Sequence, residues 1–236
     1  MATTTTAPTR ATRATTNIEE AVPYTGDDWA QNLSRLAAIP MLVMGVMAVV
    51  VGLALGAAAG VSLGDFFAQA VAADLGRGEA LVQLSGAVTF LGMGFILAGV
   101  VMSLVNVVRT LRDAGRDVQQ SLGADAYKLR KPRTGRLTPM VMMTGVMIEI
   151  AAFAIGIFNA ITIGDVNPGA IADTNTASGA DLADIGTVRA ISAWVPGLRF
   201  VGIAVLLVAV MFVLATIRKV LRFQAERITE LATQRS

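Results

Sequence analysis

The sequence lacks cysteine and histidine and contains few charged residues. None of its 236 residues is a cysteine or a histidine, and only 15% are charged. These absences exclude disulfide scaffolds, catalytic thiols, Ser–His pairs, histidine-ligated haem and the zinc sites built from Cys and His. No phosphate-binding loop and no dinucleotide fingerprint is present either. The sequence therefore predicts a protein that is not an enzyme and that carries no cofactor and no metal.

Hydrophobic residues make up 54% of the chain, which is outside the range of soluble and of disordered proteins. Crossing about 30 Å of hydrocarbon takes about 20 apolar residues in a helix. Four stretches are long enough: 36–63, 80–108, 137–164 and 190–217. The first two contain no charge, the third contains only Glu149, and the fourth contains only Arg199. We predict an all-α integral membrane protein with four transmembrane helices.

The basic residues are distributed unevenly between the segments that flank these stretches. Sixteen of the 19 Lys and Arg residues lie in the N-terminal tail, the middle loop and the C-terminal tail. Because Lys and Arg near a span are retained on the cytoplasmic side, these three segments are predicted to be cytoplasmic. The sequence thus predicts a multi-pass protein of the cell (inner) membrane with both termini in the cytoplasm.

The composition changes along the chain divide it into four parts. Residues 1–26 are rich in Thr, Ala and Pro without apolar periodicity, and we expect a disordered cytoplasmic tail. Residues 27–122 form a first helical hairpin that opens with a short interfacial helix at Trp29, residues 123–136 form a basic cytoplasmic linker, and residues 137–232 form a second hairpin. Apolar stripes that continue past 108 and past 217 predict that both even-numbered helices extend into the cytoplasm.

An internal repeat relates the two hairpins. Shifted by 100 residues, Gly45–Asp65 matches Gly145–Asp165 with seven identities in 21 positions. Shifted by 110 residues, Phe90–Arg112 matches Phe200–Arg222, with identical residues at both ends of the match. We interpret this as tandem duplication of a two-helix hairpin. Because each unit has an even number of spans, the copies run parallel through the bilayer, related by a pseudo-two-fold axis along its normal.

A stripe of small residues recurs in the first and third spans. Its members are Gly45, Gly52, Gly56 and Gly60 in the first span and Gly145, Ala152, Gly156 and Ala160 in the third. Helices in lipid associate by close backbone approach, so the stripes predict packing seams, with both odd-numbered helices near the centre of the bundle. A general bias toward Gly and Ala is the alternative, but it does not explain the matched spacing.

Glu149 lies on the same helical face as this seam, about 15 Å from the inner end of its span. An ionisable residue within a membrane indicates a functional site by default. Three interpretations are open: a neutral acid bonded to a backbone carbonyl or to Ser103, a contact with a charged residue of another subunit, or a proton or cation site. Arg199 lies nearer the outer end of its own span, and a direct bridge to it is predicted to require long snorkelling by both side chains.

Basic residues are concentrated just before the third span. They are Lys128, Arg130, Lys131, Arg133 and Arg136. At this position each is predicted to attract anionic lipid headgroups by roughly 1 kcal/mol. Because these residues lie beside a span and lack interleaved aromatics, nucleic acid is not expected as a partner.

These features favour a non-catalytic accessory or scaffold subunit that packs beside other integral membrane subunits or forms a homo-oligomer. The alternative is a small transporter or channel in which Glu149 is the intramembrane proton or cation coupling group. Co-purification of a defined complex favours the first hypothesis, whereas ion-dependent flux in liposomes favours the second.

Overall fold

The computed structural model describes residues 21–23, 29–69, 72–123, 125, 127–130 and 132–233. Its elements are β1 (Ala21–Pro23), α1 (Trp29–Gln69), α2 (Ala72–Ser121), β2 (Tyr127–Leu129), α3 (Arg133–Asp165), α4 (Pro168–Ala172), a 3₁₀ helix (Thr174–Thr176) and α5 (Gly179–Thr233). The long helices α1, α2, α3 and α5 are each long and apolar enough to cross a membrane. The predicted helical class and the four candidate spans are therefore confirmed.

Each predicted span lies inside one of these helices, but the helices extend beyond the apolar runs. The apolar runs favour helices because a helix satisfies its backbone hydrogen bonds internally, which lipid requires. Trp29 begins α1 itself, so the structure contains one continuous helix where a separate interfacial helix was expected. Helix α2 continues to Ser121 and α5 to Thr233, in agreement with the predicted helical extensions.

Helices α2, α3 and α5 form the core of the bundle, and α1 lies outside it. Helix α1 packs along α2 and has no extended interface with α3 or α5 in the described part of the chain. The expectation that both odd-numbered helices lie at the centre is therefore wrong. The reason is that the glycine stripe of α1 faces its own hairpin partner and not the other hairpin.

The α1–α2 and α3–α5 interfaces have equivalent contacts. Gly45 of α1 lies against Ile96 of α2, and Gly145 of α3 lies against Leu206 of α5. Residues 145 and 206 are 45 and 96 shifted by 100 and by 110. The same shifts carry the contact of Val49 with Gly92 onto the contact of Glu149 with Gly202. The two hairpins are therefore packed in the same register.

The predicted seam is occupied by contacts at most of its positions. Gly52 and Gly56 lie against Thr89 and Ser85, and the Ser85 hydroxyl donates to the Gly52 carbonyl at 2.8 Å. Gly60 is the exception, because a Cβ placed on it would meet no described atom within 4 Å. In the third span Gly145, Ala152 and Gly156 are buried, whereas Ala160 is half-buried. Gly60 must therefore be removed from the seam.

One end of the bundle carries a two-stranded antiparallel sheet. Ala21 pairs with Leu129 and Pro23 with Tyr127. The buried amide of Gln119 holds β2 in place, since its oxygen accepts from the Tyr127 N–H and its nitrogen donates to the Tyr127 carbonyl. Residues 21–23 thus correct the expectation of a disordered tail over 1–26. The predicted linker over 123–136 contains β2 and the first turn of α3. Residues 1–20 and 24–26 lie outside the described residues.

We call this end of the bundle the sheet end and the opposite end the α4 end. At the α4 end, α4 is capped by Asn167, whose side chain accepts from the Gly169 N–H, and begins with Pro168. A buried apolar cluster closes this end: Ile163, Val166, Ala170, Ile185 and Val188. Toward the sheet end, α2 and α5 pack through another apolar cluster that includes Val101, Ala209, Val213 and Val220.

Candidate intramembrane charge site

Glu149 is buried in the core, between α2 and α5. Its side chain is 1% exposed. It lies against Gly94 of α2 and Gly202 of α5, and a Cβ placed on Gly94 would lie 2.8 Å from Glu149 Cγ. Glycine at these two positions leaves the space that the carboxyl group occupies. In the first hairpin the equivalent space holds Val49, so the carboxyl group is a feature of the second hairpin alone.

Arg199 is buried in the same interface, nearer the α4 end. Its guanidinium lies beside Gly86 of α2 and Gly156 of α3, with Cζ 5.5 Å from the centroid of the Phe90 ring. Phe90 in turn packs edge-to-face on Phe200 at 5.4 Å. The ring face attracts the cation and helps to offset its desolvation. The side chain points along α5 toward the α4 end, as expected for a helical residue whose Cβ tilts toward the N-terminus.

The two charged residues are closer in depth than the sequence indicated. Gly202, which contacts Glu149, is only three residues along α5 from Arg199. The packing of α3 on α5 places Glu149 level with Gly202, whereas counting from the span ends placed it level with about Leu207. The two charges attract each other electrostatically. The two carboxylate oxygens of Glu149 have no hydrogen-bond partner among the described residues. The same is true of Nε of Arg199.

One of the three interpretations of Glu149 changes with this geometry. The Ser103 hydroxyl donates to the Gly99 carbonyl at 2.9 Å and so is not the partner of the acid. Glu149 and Arg199 are both buried by helices of their own chain. What remains is a buried acid without a hydrogen-bond partner.

A group of uncharged polar side chains, not identified from the sequence, lies next to Arg199 on the α4 side. Ser192 of α5 accepts hydrogen bonds from the side-chain amides of Gln83 of α2 at 3.0 Å and of Asn159 of α3 at 3.5 Å. Asn159 is fully buried, and its Oδ1 has no partner in the described part of the chain. The signal available in the sequence was weak: each is a single amide or hydroxyl residue within an apolar run.

The predicted lipid-contact residues lie at the sheet end. Arg130, Arg133 and Arg136 are exposed, and Lys128 is half-buried in β2. Lys131 lies outside the described residues. The exposed members surround the first turn of α3, so their charges point away from the core and are available to solvent or headgroups.

No protein family, curated protein or solved structure matches this chain. Within the described residues, no group of three or more His, Cys, Asp or Glu side chains is placed to hold a metal ion. A carboxyl group, a guanidinium, two amides and a hydroxyl can exchange protons and order water.

Proposed function

We propose that this protein is a non-catalytic accessory or scaffold subunit of the cell (inner) membrane that packs laterally beside other membrane subunits or a second copy of itself. The observation that carries this proposal is the position of α1 outside the core. In the most apolar window of α1 only 17% of residues are buried within the chain, against 33% for α2. A helix held on one side by a glycine seam presents the rest of its surface to neighbours in the membrane.

The proposed architecture is a tandem duplication with parallel repeats. Its support is the equivalence of contacts described above, in which both helix pairs share one register after shifts of 100 and 110 residues. Shared membrane composition alone explains apolar residues at both places, but it does not explain glycine meeting the same position of the partner helix. The equivalence of Val49 and Glu149 then indicates that the two copies diverged at this position after the duplication.

In this proposal the sheet end and both termini are cytoplasmic and the α4 end is outside. The basic residues support this orientation, because the exposed Arg130, Arg133 and Arg136 all lie at the sheet end. There they contact anionic headgroups. The helical extensions of α2 and α5 lie at the same end and offer a surface for the cytoplasmic part of a partner.

Site-specific photo-crosslinking in native membranes tests the subunit proposal. A photoreactive residue at Met47, 58% exposed on α1, should give one discrete adduct with a membrane protein. The matched control is Met211, 65% exposed on α5. We expect lipid adducts alone from Met211. Lipid adducts alone from both positions, or a protein adduct from Met211 only, would remove α1 as the lateral contact.

The second candidate function is a small transporter or channel coupled to Glu149. The specific observation in its favour is that the Glu149 carboxyl group lies in the core without a hydrogen-bond partner. Burying such a group costs free energy, and ionisable residues buried in membrane proteins commonly have a function. Glu149→Gln keeps the size and removes the ability to ionise. Loss of pH-dependent flux in liposomes, with folding and partner retention intact, would favour this function over the first; unchanged flux or no flux in the parent protein would exclude it.

A further inference from the structure

Polar groups in the core follow one direction from Glu149. On α5 we count from Gly202, which contacts Glu149. Toward the α4 end, Arg199 lies three residues from Gly202, and Ser192 lies ten residues from it, about 15 Å along the helix axis. Asn159 and Gln83 join Ser192 from the neighbouring helices. We call Arg199, Asn159, Ser192 and Gln83 the polar track. It connects the acid to the α4 end through the interface of three helices.

Toward the sheet end the interface is apolar. Buried Ala98, Val146 and Leu206 pack directly beyond the acid, and the cluster that contains Val101, Ala209 and Val213 follows. The next polar residue of α5 in that direction is Thr216, fourteen residues from Gly202, or about 21 Å. Along α5, a proton moving in this direction would therefore cross a long segment without side-chain donors or acceptors.

The polar track contains unpaired atoms that require a partner. Both oxygens of Glu149, Oδ1 of Asn159 and Nε of Arg199 are buried without a hydrogen bond in the described part of the chain. Buried polar atoms in native proteins are nearly always satisfied, and ordered water is the partner where protein groups are absent. Water along the track would satisfy all of these atoms and join them into one chain of hydrogen bonds.

We propose that Glu149 is a proton-exchange site that communicates with the α4 end of the bundle through water held along the polar track, and not with the sheet end. In each exchange a hydronium ion at the track gives its proton to a carboxylate oxygen of Glu149 and leaves as water, and the reverse step returns the proton. No other ionisable side chain faces the acid, because residues 80–108 of α2 contain no charge, 190–217 of α5 contain only Arg199, and 137–164 of α3 contain only Glu149 itself.

Arg199 is a positioning residue in this proposal. Its guanidinium donates to the track water and balances the carboxylate, so the site is neutral when Glu149 is ionised. The buried apolar cluster that closes the α4 end, which contains Ile163, Ala170 and Val188, covers the polar track beyond Ser192. Proton exchange therefore requires this cluster to open locally.

Infrared spectroscopy of the full chain in vesicles tests the direction of access. The carbonyl band of the protonated acid is assigned to Glu149 by its loss in Glu149→Gln. Vesicles of one orientation are obtained by capture through a cysteine introduced at Ser178, since the chain has no other. After a pH step, the band should follow the pH at the α4 end. A band that follows the sheet-end pH equally fast, or that does not change between about pH 4 and 9, overturns the proposal.

Two variants with a matched control test the route. Ser192→Ala and Asn159→Leu should each slow exchange by about tenfold or more, the rate equivalent of one lost hydrogen bond. The control is Thr138→Val, which removes a buried hydroxyl near the sheet end and should leave the rate unchanged. Ser192→Ala removes a single hydroxyl and carries the test where Asn159→Leu fails to fold. Unchanged exchange in Ser192→Ala overturns the route.

This inference deepens the second candidate function, and its failure is separable from failure of that function. Protonation from the α4 side without any ion flux would exclude transport and leave the exchange site standing. Flux that depends on Glu149, together with protonation from the sheet end, would exclude the proposed route and leave transport standing.

Discussion

Replacing a seam glycine by alanine should weaken the bundle only where the seam is in contact. At Gly45 the added Cβ would lie 2.7 Å from the Gly92 carbonyl oxygen and from the Ile96 amide nitrogen, both of which are backbone atoms. Ordinary contacts begin near 3.4 Å, so α1 and α2 must part by roughly 0.7 Å at this crossing. A gap of that size forfeits about a quarter to a half of the dispersion energy of the neighbouring contacts.

The matched control is Gly60→Ala on the same helix, because its Cβ would meet no described atom within 4 Å. Both variants gain the same helix propensity, so it cancels in the comparison. We expect Gly45→Ala to be less stable than Gly60→Ala by about 1–3 kcal/mol, the usual range for overpacking. Adding a methyl group at this open position has no such penalty.

The measurement is reversible unfolding in mixed detergent micelles with increasing dodecyl sulfate. Energy transfer between dyes on cysteines at Leu36 and Val107, both exposed, reports the separation of α1 from α2. The native chain has no cysteine, so labelling is confined to these sites. Equal midpoints for the two alanine variants would refute close backbone approach as the source of α1–α2 stability.

Three further predictions concern the two ends of the bundle. Gln119→Leu should leave two backbone groups of β2 without hydrogen bonds, at a cost of about 1–3 kcal/mol each, and should speed tryptic cleavage at 128–130. The control is Gln120→Leu at the exposed neighbouring residue, which should be cleaved at the same rate as the parent protein. The Ser178 side chain and the Asn167 N–H hydrogen-bond to Asp181 and lower its pKa, so this stabilisation is present at neutral pH and lost only as the pH falls below the usual aspartate range. Asp181→Asn should speed amide hydrogen exchange at the Asn167 and Ser178 N–H groups already at neutral pH, and unchanged exchange would refute the cap. A cysteine at Ser178 should react with an impermeant reagent in intact cells and one at Gln120 should not; the opposite pattern would invert the proposed orientation.

The helices could be predicted because each depends on local sequence. An apolar run of 28 or 29 residues must satisfy its backbone groups internally in lipid, and every such run is a helix in the structure. The neighbours of each helix were harder to predict, since a glycine stripe shows that a face packs closely but not which helix it meets. Gly60 continues the spacing of Gly45 and Gly52, yet it lies on a face of α1 turned away from α2, since the two helices still meet beyond it where Leu63 lies against Gly78.

The candidate site was partly predictable for the same reason. The charge pattern alone identified Glu149 and Arg199. Their proximity depends on the relative shift of α3 and α5, which no apolar run specifies to better than one turn. The polar track combines single amides and a hydroxyl from three helices, and each is unremarkable in its own segment. The pairing of β1 with β2 was also hidden, because three-residue strands separated by a hairpin leave no periodic signal.

The β1–β2 pairing constrains the order in which the protein is completed during synthesis. Ala21 must wait for Leu129, which follows it by 108 residues, or roughly 5–20 s at ordinary elongation rates. Throughout that interval α1 and α2 are made and inserted while the first strand has no partner. The strand pair therefore cannot guide insertion of the first hairpin. The two strands pair only after the segment that leads into the second hairpin has been synthesised, so their pairing is a late step in folding.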